Sequence, residues 1–296
     1  MVGVATACPE PGRACGSSDL RSLILLRSLF RRPQDAAPSE PSIDGQPARV
    51  PPGVCVYAVG DVHGRADLLQ ALHRQIAADA ALLTPGTEKL VIYVGDYVDR
   101  GLESSRVIDL LIREPLEEFH TIYLLGNHDA WLLSFLIDAR IGPTWLRYGG
   151  DATLHSYGVR MRVPAEDAVS YEQLQTELRE RLPRQHVHFL ERLELSYETG
   201  DYLFVHAGVR PNVPLDQQTA DDLLWIREPF LSSRRELGKV VVHGHTVEAE
   251  PAVRSNRIGI DTGACWTGCL TCLVLEESRY RFLSTGAPPA AATQRA

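Results

Sequence analysis

The sequence predicts an α/β domain built on parallel strands. Three successive strand–polar turn–helix units predict it, together with a composition suited to a large buried core. The first strand is residues 54–60 (VCVYAVG), apolar and β-branched, ending abruptly in Asp61-Val62-His63-Gly64. A helical stripe of Leu68, Leu72, Ile76 and Ala80 follows it. The second strand, residues 90–95 (LVIYVG), runs into Asp96-Tyr97-Val98-Asp99-Arg100-Gly101 and then a helix through Val107, Ile108 and Leu111. The third, residues 121–126 (TIYLLG), runs into Asn127-His128-Asp129 and a helix carrying Trp131, Leu132, Phe135 and Leu136. Strands joined by helical crossovers bind ligands beyond their carboxyl ends, so all three turns are expected on one edge.

Composition bounds the rest. The chain has 296 residues, 44% hydrophobic and 23% charged, which excludes a collagen, a coiled coil, a disordered chain and a disulfide-stapled miniprotein. No apolar stretch reaches the ~18–20 residues of a membrane span. A formal charge of −8 argues against a nucleic-acid partner. Lys89 and Lys239 are the only lysines, so an anion site here must be built from arginine. The spacing of Cys265, Cys269 and Cys272 suits no zinc site. With Cys8, Cys15 and Cys55 they read as reduced structural cysteines in a reducing compartment, most simply the cytoplasm.

Residues 1–53 read as an extension. Leu20, Leu23, Ile24, Leu26, Leu29 and Phe30 form one face of a short basic helix ending at Arg31-Arg32, with docking on its own domain favoured over contact with a membrane surface or a partner. Six prolines between residues 33 and 53 read as a linker. Residues 54–286 form the expected catalytic domain, and residues 287–296 an Ala/Pro/Gln tail expected to be disordered.

The chemistry gathers at strand ends. Asp61, His63, Asp96, Asp99, Asn127 and His128 arrive on one edge, and two later strands add His206-Ala207-Gly208 and His243-Gly244-His245-Thr246. Carboxylates and imidazoles crowded in this way need a cation among them. Oxygen and nitrogen donors suit Mn, Fe or Zn rather than a thiolate metal. Taken singly, Asp61, Asp96 and Asn127 are good turn formers, and His206 and His245 good core histidines. Taken together, at five strand ends, they are not.

The series Gly60–Gly64 (GDVHG), Gly95–Gly101 (GDYVDRG), Gly126–Asp129 (GNHD), His206-Ala207-Gly208 and Gly244-His245-Thr246 resembles the phosphoprotein phosphatases, metallophosphoesterases of the calcineurin-like superfamily. Residues 224–228 (LWIRE) and 260–263 (IDTG) extend the resemblance, which covers about residues 54–285 and looks most like the short bacterial and phage serine/threonine phosphatases. It implies a four-layer αββα sandwich holding two divalent metal ions, Mn first and Fe or Zn as alternatives. Asp61, His63 and Asp96 would hold one ion. Asp96, Asn127, His206 and His245 would hold the other, and a metal-bridging hydroxide would attack phosphorus in line. Arg100 and Arg227 match the phosphate-clamping arginines, and a guanidinium fork fits a phosphoryl face. His128 matches the general acid, and Asp99 the group that fixes its tautomer.

The implied substrate is a phosphoprotein or small phosphoester. One departure bears on this: Asp129 stands where the family usually has Glu. The same Asp occurs in bis(5′-nucleosyl)-tetraphosphatases, which generally lack the aspartate that Asp99 supplies, so a phosphomonoesterase is favoured over a dinucleoside polyphosphate hydrolase. A non-catalytic binding module on the same fold would show a substituted ligand or clamp residue, and none is substituted. His243 reads as structural, and His73, His120, His155, His186 and His188 carry no role. Residues 145–151 (WLRYGGD) are divided evenly between a pocket wall and plain packing.

Overall fold

A computed structural model of the protein describes residues 40–160 and 170–286. The expected basic helix at residues 20–32, the linker up to residue 39 and the tail from residue 287 lie outside these residues. The first elements are two short strands, β1 (Ser42–Ile43) and β2 (Gln46–Pro47), paired antiparallel. The chain then alternates as the sequence predicts: β3 (Val54–Val59), α1 (Ala66–Ala80), β4 (Glu88–Tyr93), α2 (Ser104–Arg113), β5 (His120–Tyr123) and α3 (Asn127–Ile137). A helical excursion follows, with α4 (Gly142–Trp145), a π-helical turn (Leu146–Gly150), α5 (Asp151–Ser156), α6 (Tyr171–Arg181) and α7 (Arg184–Glu191). The remainder comprises β6 (Ser196–Thr199), β7 (Tyr202–Val205), α8 (Ala220–Trp225), β8 (Val240–His243), β9 (Ala252–Val253), β10 (Arg257–Gly259), α9 (Ala264–Thr267), β11 (Thr271–Glu276) and β12 (Arg279–Ser284).

Two five-stranded sheets result, ordered β12-β11-β3-β4-β5 and β6-β7-β8-β10-β9. In the first, β3, β4 and β5 are parallel; in the second, β7, β8 and β10 are parallel. Successive side chains of a strand face opposite ways, and β3 shows why its run is apolar throughout. Val56 and Ala58 pack between the sheets against Phe204, Val242 and Ile258. Cys55, Tyr57 and Val59 turn outward into the cluster formed with Leu69, Leu72 and Ile76 of α1. On the far side, Leu203, Val205 and Val241 pack with Leu223, Ile226 and Phe230 of α8 and the turn after it. Helix, sheet, sheet, helix: the four layers are those the resemblance implies. Among the described residues no helix is long and apolar enough to cross a membrane.

The structure differs from the sequence reading before residue 54. Ala48 and Val50 are buried between the sheets, and the Val50 and Arg49 amides donate to the Glu277 carbonyl and the Asp201 carboxylate. Residues 42–50 therefore belong to the sandwich. Their partners lie about 150 residues and more away in the chain, and a proline-rich pair of two-residue strands offers no period to read.

Candidate metal centre

The carboxyl ends of β3, β4, β5, β7 and β8 deliver the predicted residues to one place. Five of those residues, His63 (φ 45°), Asp96 (53°), Asp99 (71°), Arg100 (68°) and His245 (62°), sit in left-handed backbone conformations. Each such residue costs roughly 1–3 kcal/mol and persists only where its surroundings dictate it. Here the loops lock one another. The Val62 and His63 amides both donate to the Asp96 carbonyl at 3.1 and 2.8 Å, and the Gly101 amide donates to the His63 carbonyl at 3.1 Å. Asp129 ties in the third loop: its carboxylate accepts from the amides of Asp96 (2.8 Å), Tyr97 (3.0 Å) and Gly126 (3.0 Å). The departure noted in the sequence is thus a fully buried brace behind the candidate ligands.

Asp96 is the meeting point. Its donor atoms lie within 4.8 Å of those of Asp61 and His206 in one group, and of His63 and His128 in another. His206 Nε2 and His245 Nδ1 each lie 2.8 Å from Asn127 Oδ1, so the four residues expected at one ion converge. His63 and His206 donate their Nδ1–H to the carbonyls of Val98 and Val94, both at 2.9 Å. That fixes the tautomer and turns each Nε2 lone pair toward an Asp96 oxygen, at 3.4 and 3.5 Å. Two acceptors facing each other repel. Asp61 Oδ1 and His245 Nε2 are buried with no hydrogen-bond partner among the described residues. Divalent cations between the Asp61, Asp96 and Asn127 oxygens and the imidazole nitrogens that face them would satisfy those acceptors, taking one nitrogen of His245, so the donor set fits the metal.

The protonation states agree. Burial pushes His63 down to about 3 and lowers His206 and His245, keeping the imidazoles in the neutral form that binds metal. Burial works against ionisation of Asp96 as well, but attraction to His206, His128 and His63 in their protonated forms, with the His128 amide donating to it, outweighs burial and holds that carboxyl below its usual range. Asp61 goes the other way. Burial, with the nearby Asp261 and Asp96 carboxylates, raises it well above the usual value, a cost that a cation removes.

Beside the ligands stands a histidine–aspartate pair. His128 Nδ1 lies 2.7 Å from Asp99 Oδ2, and both side chains are buried. Asp99 also accepts from Trp145 Nε1 (2.9 Å) and Thr153 Oγ1 (2.7 Å), while its own amide donates to the Thr153 and Ser104 hydroxyls. Burial raises Asp99, against the pull of the His128 hydrogen bond. Arg100 reaches both rings, with Nη1 2.5 Å from His63 Nε2 and Nη2 2.9 Å from His128 Nε2. Arg227 is exposed and not drawn into this cluster; its charge reaches His245, which it helps to lower. His243 packs edge-on against Phe230 at 5.0 Å, as a structural histidine does.

Residues 145–151 divide by position. Trp145 is buried on Asp99, whereas Tyr148 is 50% exposed and lines a cavity at the mouth. Sequence reasoning missed Ser104 and Thr153, and the aromatic side chains Trp131, Trp225 and Trp266 around the mouth. His128 lies 5.2 Å from Trp131, His245 6.3 Å from Trp225, and Trp266 lies 4.7 Å beneath the Arg100 guanidinium. The exposed Trp266, following the IDTG segment, was the one readable signal.

A sandwich of two sheets with acidic and imidazole ligands at five strand ends defines a metallophosphoesterase. Residues 56–267 match the family model of calcineurin-like phosphoesterases, and the chain belongs to that family. Among curated relatives it is similar to the asymmetrical bis(5′-nucleosyl)-tetraphosphatase PrpE of Anoxybacillus flavithermus, 26% identical over 250 residues, covering 78% of this chain and 92% of that one. Among solved structures it resembles a candidate diadenosine tetraphosphatase (TM-score 0.52, 22% identity, 80% of this chain and 98% of that one). It also resembles a point mutant of a cold-active protein tyrosine phosphatase (TM-score 0.51, 17% identity, 85% and 86%). At such identities the two structures speak for the fold alone.

Proposed function

We propose that the protein is a metal-dependent phosphomonoesterase whose principal substrates are phosphorylated serine and threonine side chains, with phosphotyrosine and small phosphoesters as further ones. The observation that carries this reading is the buried His128–Asp99 pair at 2.7 Å. A serine or threonine alkoxide is a poor leaving group and needs a proton as it departs, which an aryl or phosphate leaving group needs far less.

Asp61, His63 and Asp96 would hold one divalent ion, and Asp96, Asn127, His206 and His245 the other, with Mn the ion we favour. When bound, the pair of ions supplies a low-pKa water as nucleophile and neutralises phosphoryl charge. This chain's own residues do the remainder. Asp99, held by Trp145 and Thr153, accepts from His128 Nδ1–H, which leaves Nε2, here 2.9 Å from Arg100 Nη2, as the atom that would carry a proton to the leaving oxygen once the guanidinium turns to the phosphoryl group. Arg100 and Arg227 bind the outward phosphoryl oxygens as charge builds on them. Trp145 and Phe135, 4.8 Å apart, keep water from the buried side of Asp99. The four described cysteines are free, which suits a reducing compartment, and we place the protein in the cytoplasm.

A second reading is hydrolysis of dinucleoside polyphosphates, favoured by the name its curated relatives carry. Comparing kcat/KM for a phosphoserine peptide and for diadenosine tetraphosphate, both with manganese, decides between them. A higher value for the peptide supports the first reading, and a higher value for the dinucleotide replaces it with the second.

A further inference from the structure

We propose that the cavity beside the centre is a subsite for a second anionic group, so that the protein selects phosphoesters carrying further negative charge near the scissile phosphoryl. The cavity, about 1030 Å³, lies between the π-helical turn, α5 and α9, and Arg100, Arg147, Tyr148, Arg160 and Trp266 line it. Its cations outnumber its one lining carboxylate, Asp151, on a chain whose formal charge is −8. Arg147 and Arg160, both exposed, line one cavity and have no carboxylate partner among the described residues, as several other surface arginines also do not. A guanidinium left open beside a phosphate clamp is placed to take an anion.

The two cationic positions are held in register. The Arg100 amide donates to the Gly149 carbonyl at 3.0 Å. Gly149 has φ 108°, and a Cβ there would stand 2.8 Å from the Arg100 amide nitrogen, so only glycine permits the approach. The strand-end turn that carries the clamp therefore also carries the turn holding Arg147. Between them, Trp266 is 62% exposed under Arg100, and Tyr148 stacks on Trp131 at 5.0 Å, giving apolar faces for whatever links the two anions. Carboxylates flanking a phosphorylated side chain would supply the second charge, as would the further phosphates of a polyphosphate chain.

The proposal rests on the hydrolase reading, and its test separates the two. kcat/KM is measured with manganese for a phosphoserine peptide with aspartates at the next three positions, for its alanine counterpart, and for diadenosine tetraphosphate. The intact protein should prefer an anionic substrate over the alanine peptide, and Arg147→Gln should cut that preference roughly five- to tenfold, in KM rather than kcat. Loss on the aspartate peptide identifies carboxylates as the natural second anion, and loss confined to the dinucleotide identifies phosphates. Equal kcat/KM ratios in the intact and Arg147→Gln proteins overturn the subsite. Equilibrium binding of the aspartate peptide in chelator reports the same preference without turnover. A charge-dependent affinity lost in Arg147→Gln upholds the subsite even if no hydrolysis is seen, a result that would sink the hydrolase reading alone.

Discussion

The floor of the centre and its rim are built on opposite terms. On the floor, Asp61, His63, Asp96, Asn127, His128 and His206 are at most 2% exposed, and one side-chain atom of each of Asp61, His63, Asp96 and His206 is held by backbone. On the rim, Arg147, Tyr148, Arg227 and Trp266 stand open to solvent, and neither Arg147 nor Arg227 has a carboxylate partner among the described residues. Under the proposed function, the geometry of the reaction would lie in the strained, buried floor, while substrate preference would fall to the exposed side chains of the rim. Changes to the floor should act on kcat and metal affinity, and changes to the rim on KM.

The largest effect is expected at Asp96, which touches both candidate ion positions. Asp96→Asn should lower manganese-dependent hydrolysis of p-nitrophenyl phosphate by roughly three orders of magnitude or more and weaken metal uptake by equilibrium dialysis. Near-normal turnover would remove Asp96 from the centre. Next comes the proton donor. His128→Asn and Asp99→Asn should slow an alkyl phosphate by about 10²–10⁴-fold and an aryl phosphate much less. Equal losses on both substrates would withdraw the general-acid role and with it the floor's claim to more than metal binding.

Most of the residues that gather on the floor were legible in the sequence because each strand ends in a compact motif that names its candidate ligands. His206 and His245 were legible for the same reason, although they come from the second sheet. What could not be read is what holds Asp99. Trp145 and Thr153 reach it across 46 and 54 residues, and neither belongs to a strand-end motif. Residues 42–50 were hidden likewise, since their pairing is long-range. The rim was half legible: residues 145–151 could be read as a wall or as plain packing, and which side chains face in depends on the π-helical turn. Arg227 entered by resemblance, and the structure leaves it at the edge.

A smaller effect should follow from crowding a candidate ligand without replacing it. A Cβ at Gly244 would collide with Asp61 Oδ1, and Gly259 offers a control where the nearest atom, His243 Cε1, is 3.2 Å away. Gly244→Ala should destabilise the metal-loaded protein by about 1–3 kcal/mol and weaken metal uptake, whereas Gly259→Ala should leave metal uptake intact. Thermal denaturation with and without manganese separates the two.

The smallest effect contrasts a buried histidine outside the centre. His73 on α1 meets the Tyr93 hydroxyl at 2.7 Å, and burial pushes it down to about 4 from 6.5. The unfolded chain binds its proton first, so the stability gained from a neutral His73 is present above about pH 6.5 and is lost as pH falls toward 4. The loss should be on the order of 1–3 kcal/mol. His73→Gln should shrink the fall in stability by that amount, equally with and without manganese, leaving the share that the other buried histidines contribute. Denaturant titrations at pH 7.5 and 5 check it, and a manganese-sensitive difference would tie His73 to the centre.

The central claim is that the floor is assembled around two cations that it needs in order to act. Metal content per chain, measured by equilibrium dialysis against manganese alongside turnover of p-nitrophenyl phosphate, tests it most directly. Two ions per chain are expected, with turnover that disappears with chelator and returns with metal. Full turnover at less than one ion per chain, or two bound ions with no hydrolysis of any phosphoester, would contradict it.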